Sequence, residues 1–449
     1  MIKKILDLHI HSRYSRACSA ELTLPNIAAA CGQKGIDIVA TGDFTHPAWI
    51  RHIKENLVEV EKSGVYMLRP DLISVFSSQE KKAAIPSPVR RGQGEVSPSP
   101  TRFILGTEIS CIYKHREKTR RVHLLVLAPN IEAVEKFNRN LEDRGVNIRS
   151  DGRPIMGLSS KEVLKTILEI DSRFMMIPAH IWTPWFSVFG SKSGYDSLEE
   201  CFEELTPHIT AGETGLSSDP VMNHRLSALD KITLVSNSDA HSLDKLGREA
   251  NCFEFNDDAD INYDEITRII KTGDRKKFLH TIEFYPEEGK YHFDGHATCA
   301  VALSPEETKA KKFLCPKCKK PVTVGVLHRM DDLADREGKD IQTEKFIPHK
   351  YIVPLREIIA KVFGVGVASK KVNAEYQLMI NKLGNEFYIL LDAPEEEISK
   401  NISDKNILLA IQNVRSGDVK ATPGYDGVFG SVAVIPPKQK SGDKQSRLL

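Results

Sequence analysis

Several absences narrow the reading of this 449-residue chain. No apolar run approaches the roughly 20 residues that a membrane helix needs. The opening Met1-Ile2-Lys3-Lys4-Ile5-Leu6-Asp7-Leu8-His9 is strand-like and does not resemble a secretory leader, so a cytoplasmic location is expected. No excess of either charge exists: 62 Lys and Arg stand against 61 Asp and Glu, a net charge of +1, and any attraction to nucleic acid must come from local patches. Cysteine is too sparse for a disulfide scaffold, with 8 in the chain. The glycine-rich stretch at residues 423–430 lacks the Walker spacing, so no nucleotide site is read there. What remains is an ordinary globular balance, 41% hydrophobic and 27% charged, in a chain long enough for two or three domains.

What is present is a repeated pattern. The stretch Ile232-Thr233-Leu234-Val235-Ser236-Asn237-Ser238-Asp239-Ala240-His241 is an apolar run that ends in small polar residues and then Asp-x-His. Six stretches upstream follow the same grammar. Ile5–Leu8 runs into His9-Ile10-His11, whose imidazoles share one side because alternate strand residues point the same way. Residues 37–41 end at Gly42-Asp43, and 103–107 end at Glu108. His123 lies inside 121–127, His180 closes 174–180, and Glu213 closes 208–213. Each residue alone has a plain structural reading, as a turn aspartate or a hydrogen-bonded core histidine. Seven strands, each presenting His, Asp or Glu at its C-terminal end, do not. Helical segments are predicted at 25–34, 48–62, 159–170, 197–205 and 220–229. Strand alternating with helix implies a parallel sheet, and a barrel that gathers its site at the C-terminal ends of the strands.

His9-x-His11, Asp43, Glu108, His123, His180 and Asp239-x-His241 together resemble the motifs of the PHP (polymerase and histidinol phosphatase) superfamily, over roughly residues 1–290. Thr41–Pro47, Glu213–Asp219 and the downstream cysteine segment narrow the resemblance to the endonuclease Q family, PHP-type DNA repair nucleases. The resemblance implies an α/β fold, a distorted seven-stranded (β/α) PHP barrel, and a trinuclear metal centre. It implies that His9, His11, Glu108 and Asp239 hold one ion, that Glu108, His123 and His180 hold a second with Glu108 bridging, and that Asp43 and His241 hold a third. Many PHP enzymes carry a further histidine shortly after His-x-His, where this chain has Arg16-Ala17-Cys18. Such ligands suit Zn²⁺, Mn²⁺ or Fe²⁺ better than Mg²⁺, and paired ions can clamp a phosphodiester. Asp239, Glu108 and His11 are the expected catalytic residues. The implied activity is hydrolysis of DNA on the 5′ side of deaminated bases (uracil, hypoxanthine, xanthine) and abasic sites. Reaching such a base requires extruding it, and Trp182, Trp185 and Phe186, just past His180, are placed to stack on it or to anchor their own loop.

Beyond the barrel, His296-x-x-Cys299 and Cys315-x-x-Cys318 lie about fifteen residues apart, as in a closed structural zinc site. Lys317, Lys319 and Lys320, with Lys311 and Lys312, crowd the second pair and are expected to meet DNA phosphates. Two helices are predicted within 351–385, around Gly364-Val365-Gly366, and another at 405–415. The expected domains are 1–290, the barrel, with a flexible Ser/Pro/Lys/Arg-rich insertion at 78–101; 291–330, zinc-binding; 331–435, a helical DNA-binding unit; and 436–449, a disordered tail. That tail ends Gln445-Ser446-Arg447-Leu448-Leu449, similar to short sliding-clamp-binding peptides through Gln445, Leu448 and Leu449. Two other readings stand beside the nuclease: a histidinol-phosphatase-like phosphomonoesterase and a catalytically weak DNA-binding accessory module. The zinc segment and the extra C-terminal domain, which a small substrate does not need, weigh against the first. The full ligand set weighs against the second.

Overall fold

The computed structural model describes residues 1–72 and 100–434. The insertion's basic residues Lys81, Lys82, Arg90 and Arg91, and the tail with Gln445, Leu448 and Leu449, lie outside the described residues. No helix among the described residues is long and apolar enough to cross a membrane.

All seven predicted strand stretches form strands. Ile2–Asp7 pairs parallel with Ile38–Ala40, which pairs parallel with Arg102–His115. That long strand turns back on Lys118–Ala128, which pairs antiparallel with Met175–Pro178. Ala211–Glu213 and Thr233–Val235 form a separate parallel pair. Single backbone bonds join the pair to its neighbours: Ile181 N donates to Glu213 O at 3.1 Å, and His11 N to Ala240 O at 3.0 Å. Ile38–Ala40, Met175–Pro178 and Thr233–Val235 are buried at every position, which is why they read as unbroken apolar runs and not as alternating ones.

The strands differ from the expected all-parallel series in two ways. Arg102–His115 and Lys118–Ala128 are a hairpin with no crossover helix between Glu108 and His123. Its two-residue turn, Arg116 and Glu117, has φ of 49° and 60°, the left-handed pair that a twisted hairpin favours. Ile2–Asp7 also pairs antiparallel with Ala250–Phe255 on its other side, and Phe278–Glu283 follows. The sheet therefore extends past the site instead of closing as one continuous hydrogen-bonded ring among the described residues.

Helices cover the outside, with ends set by recognisable chemistry. Leu24–Lys34 starts on Pro25 and stops at left-handed Gly35. Ser160–Ile170 starts on a reciprocal Ser159–Glu162 capping box. The 48–62 prediction shortens to Pro47–Asn56 because residues 57–59 turn into a strand. The predicted 220–229 helix is only Pro220–Asn223 followed by a 3₁₀ turn at Ser227–Lys231. In the C-terminal third, Leu355–Phe363 ends on left-handed Gly364, and Lys370–Leu383 and Lys405–Ser416 follow. This third is tied to the helix Leu24–Lys34 by a buried ion pair: Lys34 Nζ lies 3.3 Å from Glu386 Oε2, which also accepts from Tyr376 Oη at 2.9 Å.

Candidate metal centre

Two sets of ligand atoms converge where the expected strand ends meet. His9, His11, Glu108 and Asp239 offer atoms all within 4.8 Å of one another, and so do Glu108, His123 and His180. Glu108 belongs to both sets. It is fully buried, with Oε1 at 2.7 Å from His123 Nδ1 and 3.1 Å from His180 Nε2. Its Oε2 lies 3.4 Å from His11 Nε2. Burial opposes charge on this carboxylate, but His123 and Arg153 hold it well below the usual range. Asp239 is the carboxylate that opens to solvent, its side chain 26% exposed.

The backbone delivers these groups under strain. Asp43, His180 and Asp239 sit at φ of 45°, 29° and 46°, a region that non-glycine residues rarely adopt and that collects at functional sites. At Asp239 the conformation is held by Arg248, whose guanidinium donates to the carbonyls of Ser238 at 2.8 Å and Asp239 at 3.2 Å.

Each histidine of the His-x-His pair is oriented by its own carboxylate. His9 Nδ1 donates to both oxygens of Glu213, at 3.0 and 3.1 Å. His11 Nδ1 donates to Asp43 Oδ1 at 3.2 Å. Fixing Nδ1 aims Nε2 at the cluster, the arrangement that holds metal-binding histidines in one tautomer. His9 Nε2 is buried without a hydrogen-bond partner. It faces Glu108 Oε1 and Asp239 Oδ1, both at 3.8 Å. A desolvated nitrogen aimed at two carboxylates and satisfied by none fits a divalent cation.

The structure separates the expected site residues into those that converge and those that do not. His9, His11, Glu108, His123, His180 and Asp239 converge. Asp43 and His241, expected to hold a third ion, join no ligand cluster among the described residues. Asp43 is committed elsewhere, accepting from His11, from Ser12 N at 2.6 Å and from Ser15 Oγ at 2.8 Å. His241 Nδ1 is 3.6 Å from Asp239 Oδ1. Trp182 is 1% exposed, with its indole N–H given to Asn223 Oδ1 at 2.7 Å, so it packs the core and does not reach a substrate. Trp185 is only partly buried. Phe186 lies against His123, ring centroids 4.6 Å apart.

Two residues in the site escaped sequence reasoning. Glu213 was read only as a strand-end acid, and its role as the partner of His9 spans 204 positions. Arg153, from the 147–156 segment, donates to Glu108 Oε2 at 2.9 Å while its side chain stays 23% exposed. Its signal is faint, a lone arginine after Asp151-Gly152 with nothing periodic about it.

Away from this centre, ligand atoms of His296, Cys299, Cys315 and Cys318 lie within 4.8 Å of one another. The strands Asp294–His296 and Val301–Leu303 form a hairpin beside them. The local core is four residues, Val301, Leu303, Cys315 and Val322, too little apolar surface to hold such a segment without a staple. Lys317 Nζ donates to Cys299 O at 2.8 Å, and Lys319 and Lys320 are exposed.

Comparison with known proteins adds the following. The family model of the MJ0043 C-terminal domain matches residues 354–418. The uncharacterised protein MJ0043 of Methanocaldococcus jannaschii is 33% identical over 279 residues, 60% of this chain, and the chain spans only 34% of that relative. The uncharacterised YqxK of Bacillus subtilis is 28% identical over 446 residues, covering 96% of this chain and 100% of that one. The crystal structure of the lesion-specific endonuclease PfuEndoQ from Pyrococcus furiosus matches with a TM-score of 0.79 and 29% identity, over 96% of this chain and 95% of that chain. A structure of endonuclease Q with a 27-mer duplex substrate carrying an abasic lesion at its active site matches at TM-score 0.80 and 28% identity, over 99% and 100%.

Proposed function

The chain belongs to the endonuclease Q family, and on that premise we propose that it hydrolyses the DNA phosphodiester on the 5′ side of abasic sites and of deaminated bases (uracil, hypoxanthine, xanthine). One observation supports this most: two ligand sets share the buried Glu108, and one of them includes Asp239, a carboxylate that opens to solvent. His9, His11, Glu108 and Asp239 would hold one cation, and Glu108, His123 and His180 a second. Zinc or manganese suits these donors, and magnesium is a weaker fit. Divalent cations there supply Lewis acidity to the phosphate oxygens and make water acidic enough to ionise near neutral pH.

The chain's own groups do the rest. Glu213 and Asp43 keep His9 and His11 in one tautomer each. Asp239, at the open side, orients the attacking water. Arg153 keeps its positive charge beside a crowded cluster, raised further by Glu108. The Arg153 guanidinium, only partly covered by Glu108, would pair with a non-bridging oxygen of the scissile phosphate. One water is consumed and one P–O bond breaks, without a covalent enzyme intermediate. The closed His-Cys₃ site would hold a structural zinc, and Lys317, Lys319 and Lys320 beside it would meet phosphates. The domain limits given above are proposed with this reading.

The test is an oligonucleotide duplex carrying uracil or an abasic analogue, incubated with Mn²⁺ or Mg²⁺ beside a chromogenic phosphomonoester. A nick immediately 5′ to the lesion is expected, abolished in Asp239→Ala and lowered in kcat more than in KM by Arg153→Met. Phosphate release from the monoester without nicking would replace this reading with the phosphomonoesterase.

A further inference from the structure

The turn at residues 423–430 is used by none of the chemistry above, yet it is tied down by several backbone hydrogen bonds. It joins Lys420–Thr422 to Ser431–Ala433 and is pinned to the chain leading from the barrel into the cysteine segment. Gly424 N donates to Glu287 O at 2.7 Å, Gly427 N to Lys290 O at 3.0 Å, and Gly430 N to Glu288 O at 3.1 Å, while Phe293 N donates to Gly424 O at 2.9 Å. Asp426 Oδ2 accepts from Ala297 N at 2.7 Å. A side chain at Gly424 or Gly430 would collide with backbone carbonyls of Gly289 and Glu287, which is why glycine stands there.

This rigid turn nevertheless presents Val428, 40% exposed, and Phe429, 64% exposed. Lys290 Nζ lies 4.5 Å from the centre of the Phe429 ring, and Lys290 has no carboxylate partner among the described residues. From there an aromatic path leads toward the metal centre. Tyr291 lies next to Lys290 and meets Trp185 edge-on, ring centroids 5.7 Å apart. Trp185 O accepts from Thr183 Oγ1 at 3.0 Å, and the same hydroxyl is 3.0 Å from His180 Nδ1.

We propose that Phe429, backed by Val428 and Lys290, is a stacking wedge that enters the DNA at the base step beside the lesion; this rests on the endonuclease reading. An exposed aromatic ring with a free ammonium over it suits a base face with its phosphate. One ring with its small apolar neighbour is far short of the area a specific protein interface buries. A rigid support matters because a wedge must stay extended while the bases part, and unstacking is the cost that a lesion lowers.

The experiment uses the full chain in an Asp239→Asn background, which keeps the substrate whole, with two duplexes of one sequence, intact and abasic. Phe429→Ala is expected to weaken lesion binding roughly 5- to 150-fold, the range for removing one base-stacking aromatic, with intact-duplex binding little changed. Phe429→Trp retains lesion binding, and Lys290→Ala lowers the salt dependence of affinity by about one ion. Phe429→Ala with parental lesion affinity, or with equal loss on both duplexes, overturns the wedge while leaving the nuclease intact. If the unsubstituted chain nicks no lesion duplex, the endonuclease reading falls first and takes the wedge with it.

Discussion

Replacing Glu213 by glutamine tests whether the carboxylate behind His9 governs metal binding. Four donor contacts converge on its two oxygens. Oε1 accepts from His9 Nδ1 at 3.0 Å and Asn237 Nδ2 at 2.9 Å; Oε2 accepts from His9 Nδ1 at 3.1 Å and from the His180 backbone N at 2.9 Å. Glutamine has nearly the same shape but only one oxygen. Whichever way its amide turns, an NH₂ faces a buried N–H, either that of Asn237 or that of His180. An unsatisfied buried donor costs about 1–3 kcal/mol. The His9 ring also loses the charged acceptor that fixes its tautomer and aims Nε2 at the cluster, and loss of such an outer partner lowers metal affinity roughly 10- to 100-fold. The expected result for Glu213→Gln is therefore a folded protein whose Mn²⁺ or Zn²⁺ binding at the barrel site weakens within that range. Calorimetric titration of protein stripped at that site measures it. Nicking should recover at high metal concentration if affinity is what was lost. Parental metal affinity in the variant would refute the argument, because it would mean that His9 keeps its orientation without Glu213.

Two further outcomes follow from burial elsewhere. Chelation, or Cys318→Ser, should open residues 297–322 to protease while the circular dichroism of the rest of the chain persists, since that segment has its own core of four residues; equal protease resistance with and without chelator would contradict the stapling role. Glu283 is pushed up to about 8, chiefly by burial, and faces Glu249, which burial and Glu283 push well above the usual range. The folded chain thus holds a proton that the unfolded chain releases near about 4.3. Stability should fall as pH rises from there through about 8, by up to about 1.4 kcal/mol per pH unit for each raised carboxyl, and Glu283→Gln should lessen this slope in denaturant titrations; an unchanged slope would be contrary.

What the sequence made legible was whatever depends on short range. Apolar runs ending in His, Asp or Glu located all seven strands and the six converging ligands, because a buried strand needs continuous apolar residues and its end is where a polar group can emerge. Helix starts at Pro25 and Ser159 were visible for the same reason. The hairpin between Glu108 and His123 was not. Its turn, Arg116-Glu117, carries neither glycine nor asparagine, so nothing local announces positive φ at both positions. The roles of Asp43 and Glu213 were hidden differently. An acid at a strand end looks the same whether it touches a metal or the back of an imidazole; only the fold, bringing Glu213 to His9 and Asp43 to His11, decides. Trp182 and Trp185 are three positions apart in an identical-looking context, and burial alone separates the core residue from the partly exposed one.

The same geometry bears on how a chain of net charge +1 would carry out the proposed work on a polyanion. Glu108, Asp239, Asp43 and Glu213 gather around the two imidazoles of His9 and His11, and among the described residues Arg153 is the one guanidinium paired with any of these carboxylates. Burial discourages protons on the histidines, yet the surrounding carboxylates raise His9 well above its ordinary range, His11 to about 9, and His180 above its ordinary value. At His123 burial outweighs Glu108 and pushes the imidazole down to about 4, whereas at His9, His11 and His180 the carboxylates favour positive charge. Divalent cations answer that demand more fully than protons do, and Asp239 opens the same place to solvent. The attraction for a phosphodiester therefore need not be written into the overall charge. On the proposed reading it would be created at the site by the ions that the carboxylates can hold, with the exposed lysines beside the Cys315–Cys318 pair adding to it from outside.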